Sequence, residues 1–117
     1  MRTLIQRARG VLFMPFPSLL IAGCGDLGSR LASRMQAEGW RVYGLRRQVA
    51  QLPSEVVPVA ADLQQAACPP AWPVQTPDYL VYCAAANESS EAGYRAAYVD
   101  GLRHVLEWLT SHGQRPK

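Results

Sequence analysis

Residues 18–28 read Ser18-Leu-Leu-Ile-Ala-Gly-Cys-Gly-Asp-Leu-Gly28, and this stretch decides the fold. Ser18 to Ala22 is a short, almost wholly apolar run, the pattern of a strand buried on both faces. Gly23 to Gly28 then interrupts it with the spacing G-x-G-x-x-G. Beyond the interruption, Leu27, Leu31 and Met35 recur at helical spacing, with Arg30 and Arg34 on another face and Gly39 as the expected stop. A glycine-rich turn is a weak signal alone. One that leaves an apolar strand and opens an amphipathic helix is a specific one. Gly23 is expected to allow the tight turn, Gly25 to leave the backbone open to a pyrophosphate, and Gly28 to let the helix lie close on the sheet. The N–H groups of the first helical turn, around Asp26, Leu27 and Gly28, and the positive end of the helix dipole would then face phosphates.

Working outward, Arg41–Leu45 reads as a second strand and Val56–Ala60 as a weaker third, placed at a sheet edge by Pro58. Residues 64–77 hold four prolines and read as loop with at most one helical turn. Asp78–Cys83 is a fourth apolar strand, followed by a small-residue loop, Ala84–Glu88. Ser89 or Ser90 can cap a last helix with Glu91 in its first turn. Tyr98, Leu102, Val105, Leu106 and Leu109 are its expected apolar stripe, with Tyr94 and Tyr98 as packing residues, and Gly113 ends it. Apolar strands separated by crossover-length segments imply an α/β fold, a doubly wound parallel sheet covered by helices. Residues 1–16, with Pro15 and no clear period, are expected to be a poorly ordered leader, and Met14 is an alternative start. Residues 17–117 are expected to form the dinucleotide-binding domain.

Composition narrows the function classes. A chain of 117 residues is one domain or part of one. With 49% apolar and 18% charged residues it is not a disordered chain. No apolar run approaches the ~18 residues of a spanning helix, so no membrane insertion is expected. The net charge of +3 comes from Arg2, Arg7 and Arg9; from residue 11 onward nine bases face nine acids. No basic groove for nucleic acid is expected from that balance. Cys24, Cys68 and Cys83 are widely spaced, form no metal-binding pattern with His104 or His112, and read as reduced thiols of a cytoplasmic protein.

The end of the second strand discriminates between dinucleotides. An acid there binds a ribose diol and repels a 2′-phosphate. Here the place is held by Arg46 and Arg47, 18 and 19 residues after Gly28, with no acid between Gly39 and Pro53. Guanidinium groups grip phosphate by paired hydrogen bonds. The expected cofactor is therefore NADP, with NAD as the alternative.

Together these segments resemble the extended branch of the short-chain dehydrogenase/reductase superfamily, the NAD-dependent epimerase/dehydratase family. The glycine turn has the family's spacing. Ala61-Asp62-Leu63 resembles the segment whose acid contacts adenine, and Tyr82-Cys-Ala84-Ala85-Ala86 the one passing under the nicotinamide ribose. Ala97-Tyr-Val-Asp-Gly-Leu-Arg-His-Val-Leu106 resembles the family's long helix, with Tyr98 where the family often has Asn. The resemblance covers about residues 18–113. It implies a Rossmann-like fold truncated after the fourth strand and its helix, and cofactor contacts at Gly23, Gly25, Asp26, Leu27, Gly28, Arg46, Arg47, Asp62, Leu63, Ala84, Ala85 and Ala86.

The family's Tyr-x-x-x-Lys pair is missing. The five tyrosines are followed four residues later by Arg47, Cys83, Ala86, Tyr98 and Leu102, and the sole lysine is Lys117. No catalytic residue is therefore assigned, and the chain reads as the N-terminal portion of such an enzyme. Without a fifth strand, 78–83 would be an exposed apolar edge that invites self-association. Two other readings use the same residues. One is a non-catalytic dinucleotide sensor or interaction module. The other is a lipoprotein: Leu20-Ile-Ala-Gly-Cys24 after an arginine-rich start resembles a signal ending in a lipid-modified Cys24, although cleavage there would remove the first strand.

Overall fold

A computed structural model describes residues 16–84 and 90–117. The element order is β1 (Ser18–Ala22), α1 (Asp26–Ala37), β2 (Arg41–Arg46), β3 (Val57–Ala60), β4 (Tyr79–Tyr82), α2 (Glu91–Arg95) and α3 (Gly101–Ser111). A single 3₁₀ turn at Val49–Gln51 follows β2, and a π-helical turn at Ala96–Asp100 joins α2 to α3. The expected leader falls almost wholly outside the described residues, as do Ala85, Ala86 and Ser89.

All pairings are parallel, in the order β3-β2-β1-β4. The most apolar strand therefore takes the middle, with Leu20, Ile21 and Ala22 inaccessible to solvent. Alternate residues of β1 enter different cores. Leu19 and Ile21 join Cys24, Ala32, Val42 and Val56 on the α1 face. Leu20 and Ala22 join Leu45, Val59, Trp72, Val105, Trp108 and Leu109 on the α3 face. This is the doubly wound parallel sheet expected from the sequence, in its four-stranded form.

The chain reverses where the glycines stand. Gly39 and Gly113, after α1 and α3, take φ of +92° and +66°, the left-handed region that ends helices. Ser90 caps α2 by accepting the Gly93 amide at 3.0 Å. At the bottom of the sheet the Ser18 amide donates to Asp78 Oδ2 at 2.9 Å, and the Asp78 amide donates to Ser18 Oγ at 3.0 Å. These bonds fix β4 against β1.

Two helix faces differ from the expectation. On α1 the buried positions are Gly28 and Ala32, flanked by half-buried Leu31 and Met35, while Leu27 is 68% exposed. The helix lies on its small residues, which turns Leu27 outward. In the last helical run the buried stripe is Ala97, Gly101, His104, Val105, Trp108 and Leu109. Tyr94, Tyr98 and Leu106, expected in the core, are about half exposed; the two tyrosines stack on each other with centroids 5.9 Å apart. The buried residues keep ordinary helical spacing but run through Ala97, Gly101 and His104 instead of Tyr98 and Leu102: the Tyr82 hydroxyl sits where a Cβ on Gly101 would fall, so the helix packs on its small residues, while Val105 and Leu109 of the expected stripe are buried.

The crossover from β3 to β4, residues 61–78, contains no helix. Its apolar residue Trp72 is 5% exposed and packs edge-on against Trp108 of α3, centroids 5.6 Å apart. Among the described residues, no helix is long and apolar enough to cross a membrane.

Candidate functional site

At the carboxyl ends of the strands, where open parallel sheets take their ligands, lies a cleft of about 570 Å³. The glycine turn forms one wall with Gly23, Gly25, Asp26, Leu27 and Gly28. Arg46 and Arg47 after β2, Asp62 and Leu63 after β3, and Ala84 after β4 form the others. Every sequence-expected site residue within the described region thus borders a single cavity. Ala85 and Ala86 lie outside that region.

The turn is built by its backbone. The Gly23 and Cys24 amides both donate to the Leu45 carbonyl, at 3.2 and 2.8 Å, which ties the turn to the end of β2. Gly23 has φ +83°, and a Cβ there would come within 2.5 Å of the Ala84 backbone. A Cβ at Gly28 would meet Ile21 Cγ2 at 3.0 Å and the Gly23 carbonyl at 3.3 Å, so α1 could not lie this close to β1. Gly25 is different: its φ is an ordinary −83° and a Cβ would meet nothing within 4 Å. The space over Gly25 belongs to the cleft, and a side chain would fill it.

Helix α1 begins beneath that space. Gly25 is its N-cap and supplies no side-chain cap; the first intrahelical bond is Ser29 N–H to the Gly25 carbonyl, 2.8 Å. The amides of Asp26, Leu27 and Gly28 therefore have no acceptor among the described residues. Three free donors at the positive end of a helix make an anion site when a cavity lies before them.

The two arginines divide their work. Arg46 Nη1 donates to the Cys24 carbonyl at 3.3 Å and Nη2 donates to Gln51 Oε1. Arg46 thus braces the glycine turn against the turn after β2. Arg47 is exposed and makes no hydrogen bond or ion pair among the described residues. Across the cleft, Asp62 Oδ1 accepts the Gln64 amide at 2.9 Å, which curls the segment after β3 and leaves the second carboxylate oxygen uncommitted.

Further wall residues were not among the expected contacts. Tyr82, Cys83, Ala96 and Ala97 also border the cleft. The Tyr82 hydroxyl donates to the Ala97 carbonyl in the π turn and sits where a Cβ on Gly101 would fall. Burial, and behind it the neighbouring Tyr98, push the Tyr82 phenol above its ordinary value. Burial likewise raises the thiols of Cys24 and Cys83 above 9.0. These groups stay protonated at neutral pH, so none is poised as a nucleophile. No cluster that could hold a metal ion occurs among the described residues. Lys117 lies 3.8 Å from Asp78, at the opposite end of β4 from the cleft.

No family model matches the chain, and no curated protein matches it. Solved structures do. A Methylobacillus flagellatus protein classed as an NAD-dependent epimerase/dehydratase is 34% identical over 86% of this chain, with a TM-score of 0.61. A UDP-galactose 4-epimerase aligns with a TM-score of 0.66 at 19% identity over 86% of the chain. The Bordetella bronchiseptica enzyme WbmH, solved in complex with NAD+, aligns at 0.63 and 18% over 85%. The last two likenesses establish the fold alone. The chain spans 35% of the first protein and 36% of each of the others. It is a Rossmann-like α/β unit whose structural neighbours include an NAD-dependent epimerase/dehydratase protein and a UDP-galactose 4-epimerase.

Proposed function

We propose that this chain is the nicotinamide-dinucleotide-binding portion of an extended short-chain dehydrogenase/reductase of the epimerase/dehydratase type. Its full-length relatives would move hydride between the nicotinamide and a carbon–oxygen centre. One observation carries the reading: uncovered amides at 26–28 and an open space over Gly25 face a cleft at the carboxyl end of a central parallel strand. The 34% identity to an epimerase/dehydratase protein supports the family.

The cofactor of this reading is NADP rather than NAD. The unpaired Arg47 guanidinium at the end of β2 suits a 2′-phosphate, and no acid stands there to hold a ribose diol. Asp62 and Leu63 would flank the adenine, and Ala84, Ala85 and Ala86 would pass under the nicotinamide ribose. The cleft's described residues offer no proton-transfer pair, so the chain alone would bind without turnover. The free thiols fit a reducing, cytoplasmic setting, and the open edge of β4 would let two copies associate.

Titration of the chain with NADPH and NADH, followed by nicotinamide fluorescence and calorimetry, tests the reading. Saturable binding with NADPH preferred is the expected result. Absence of binding of either at millimolar ligand would overturn it.

A further inference from the structure

We infer that His104 is a positioning residue for the adenine-side wall of the cleft, an inference that rests on the dinucleotide reading. His104 sits on α3, which packs on the face of the sheet opposite α1, and is 7% exposed. Its Nδ1 lies 2.6 Å from the Leu63 carbonyl. A carbonyl only accepts, so Nδ1 carries the proton and donates. The ring is held flat against Trp108, centroids 6.1 Å apart and planes 22° apart.

The bond has neighbours of the same kind. Trp108 Nε1 donates to the Ala66 carbonyl at 2.9 Å, and Gln114 Nε2 donates to the Pro73 carbonyl at 2.9 Å. The separations are 41, 42 and 41 residues, so the crossover runs alongside α3 and the residues just past its end and is stitched to them rung by rung. This segment has no helix or strand of its own, and these three carbonyls are satisfied by side chains from across the gap.

Of the three rungs, the one from His104 is next to the cleft. Leu63 borders the cavity, and the adjacent Asp62 and Gln64 border it too. Fixing the Leu63 carbonyl from behind fixes the plane of the 63–64 peptide, and with it the Asp62–Gln64 curl that faces the ligand. The glycine turn is tied instead to Leu45 and Arg46 and is independent of α3. His104 therefore governs how the adenine end is received and not how the phosphates are.

The test separates the two ends with two probes, ADP and inorganic pyrophosphate, titrated calorimetrically. His104→Ala is expected to weaken ADP by five- to twenty-fold and leave pyrophosphate within two-fold. His104→Asn, whose Nδ2 lies as many bonds from Cα as Nδ1 of histidine, is expected to restore ADP binding to within two- to three-fold. If the alanine variant does not fold, His104→Phe keeps the ring on Trp108 without the donor and carries the same expectation. Unchanged ADP affinity without the donor would overturn the inference while leaving the dinucleotide reading intact. Equal losses for both probes would also overturn it, as a general destabilisation. Wild-type chain that binds neither probe would overturn the dinucleotide reading, and this inference with it.

Discussion

Replacing Gly25 by valine separates a role in binding from a role in folding. The backbone there has φ −83° and ψ −142°, outside the left-handed region, and a Cβ meets nothing within 4 Å. The variant should therefore still fold, at a cost of about 1 kcal/mol for a β-branched residue replacing glycine at a helix N-cap. The added isopropyl group would occupy the space in front of the Asp26, Leu27 and Gly28 amides. Hydrogen bonds to a charged partner contribute about 1.5–3 kcal/mol each, so displacing a phosphate from one or two of them costs about 2–3 kcal/mol net. That corresponds to a roughly 30- to 150-fold rise in Kd for NADPH. Gly23→Ala is the contrasting control. Its Cβ would strike the Ala84 backbone at 2.5 Å in a left-handed conformation, and it should lose about 2–4 kcal/mol of stability. Fluorescence titration with NADPH beside thermal melts of both variants reads the difference. Equal NADPH affinity in wild type and a folded Gly25→Val would refute the phosphate cradle.

Arg47→Ala should reduce the preference for NADPH over NADH by about ten-fold, because a solvent-facing guanidinium–phosphate pair is worth about 1–2 kcal/mol; an unchanged ratio of the two dissociation constants would remove Arg47 from cofactor selection. Light scattering coupled to size exclusion should return a mass above the 12.9 kDa of one chain, through the β4 edge; a strict monomer at high concentration refutes that edge as an association site. The pH dependence follows from the raised Cys24 thiol. Its stabilising contribution is complete below pH 9.0, its unfolded value, and is lost as pH rises through the higher folded-state value, because the unfolded chain deprotonates first. Denaturant midpoints should accordingly fall as pH rises above 9.0, and fall less steeply in Cys24→Ala; parallel slopes would contradict a buried, neutral thiol.

What the sequence disclosed was whatever the backbone dictates locally. The apolar run at 18–22 read as a strand buried on both faces, and three glycines after it announced a turn, a close helix–sheet contact and an exposed backbone. Pro58 marked β3 as an edge strand because it has no N–H to contribute. What stayed hidden depends on partners far apart in the chain. Arg46 and Arg47 look equivalent in sequence, yet one braces a carbonyl 22 residues back and the other is exposed. His104, Trp108 and Gln114 reach carbonyls about forty residues away, and a side chain bonded to a distant backbone leaves no local pattern. The stripe of the last helix was misphased for a third reason. Helical spacing fits Tyr98, Leu102 and Leu109 as well as it fits Ala97, Gly101 and Trp108, and the larger apolar residues were counted although the face with the small ones is buried.

The two margins of the sheet are not alike. At β3 the proline interrupts any further ladder, whereas β4 presents continuous amides and carbonyls beyond Asp78, whose own carbonyl already accepts the Lys117 amide at 2.7 Å. Among the described residues, the sheet has one margin that no proline interrupts. Joined through it, two copies would consume each other's free margin in a closed two-fold pair, and the geometry would terminate there without propagating into a fibre.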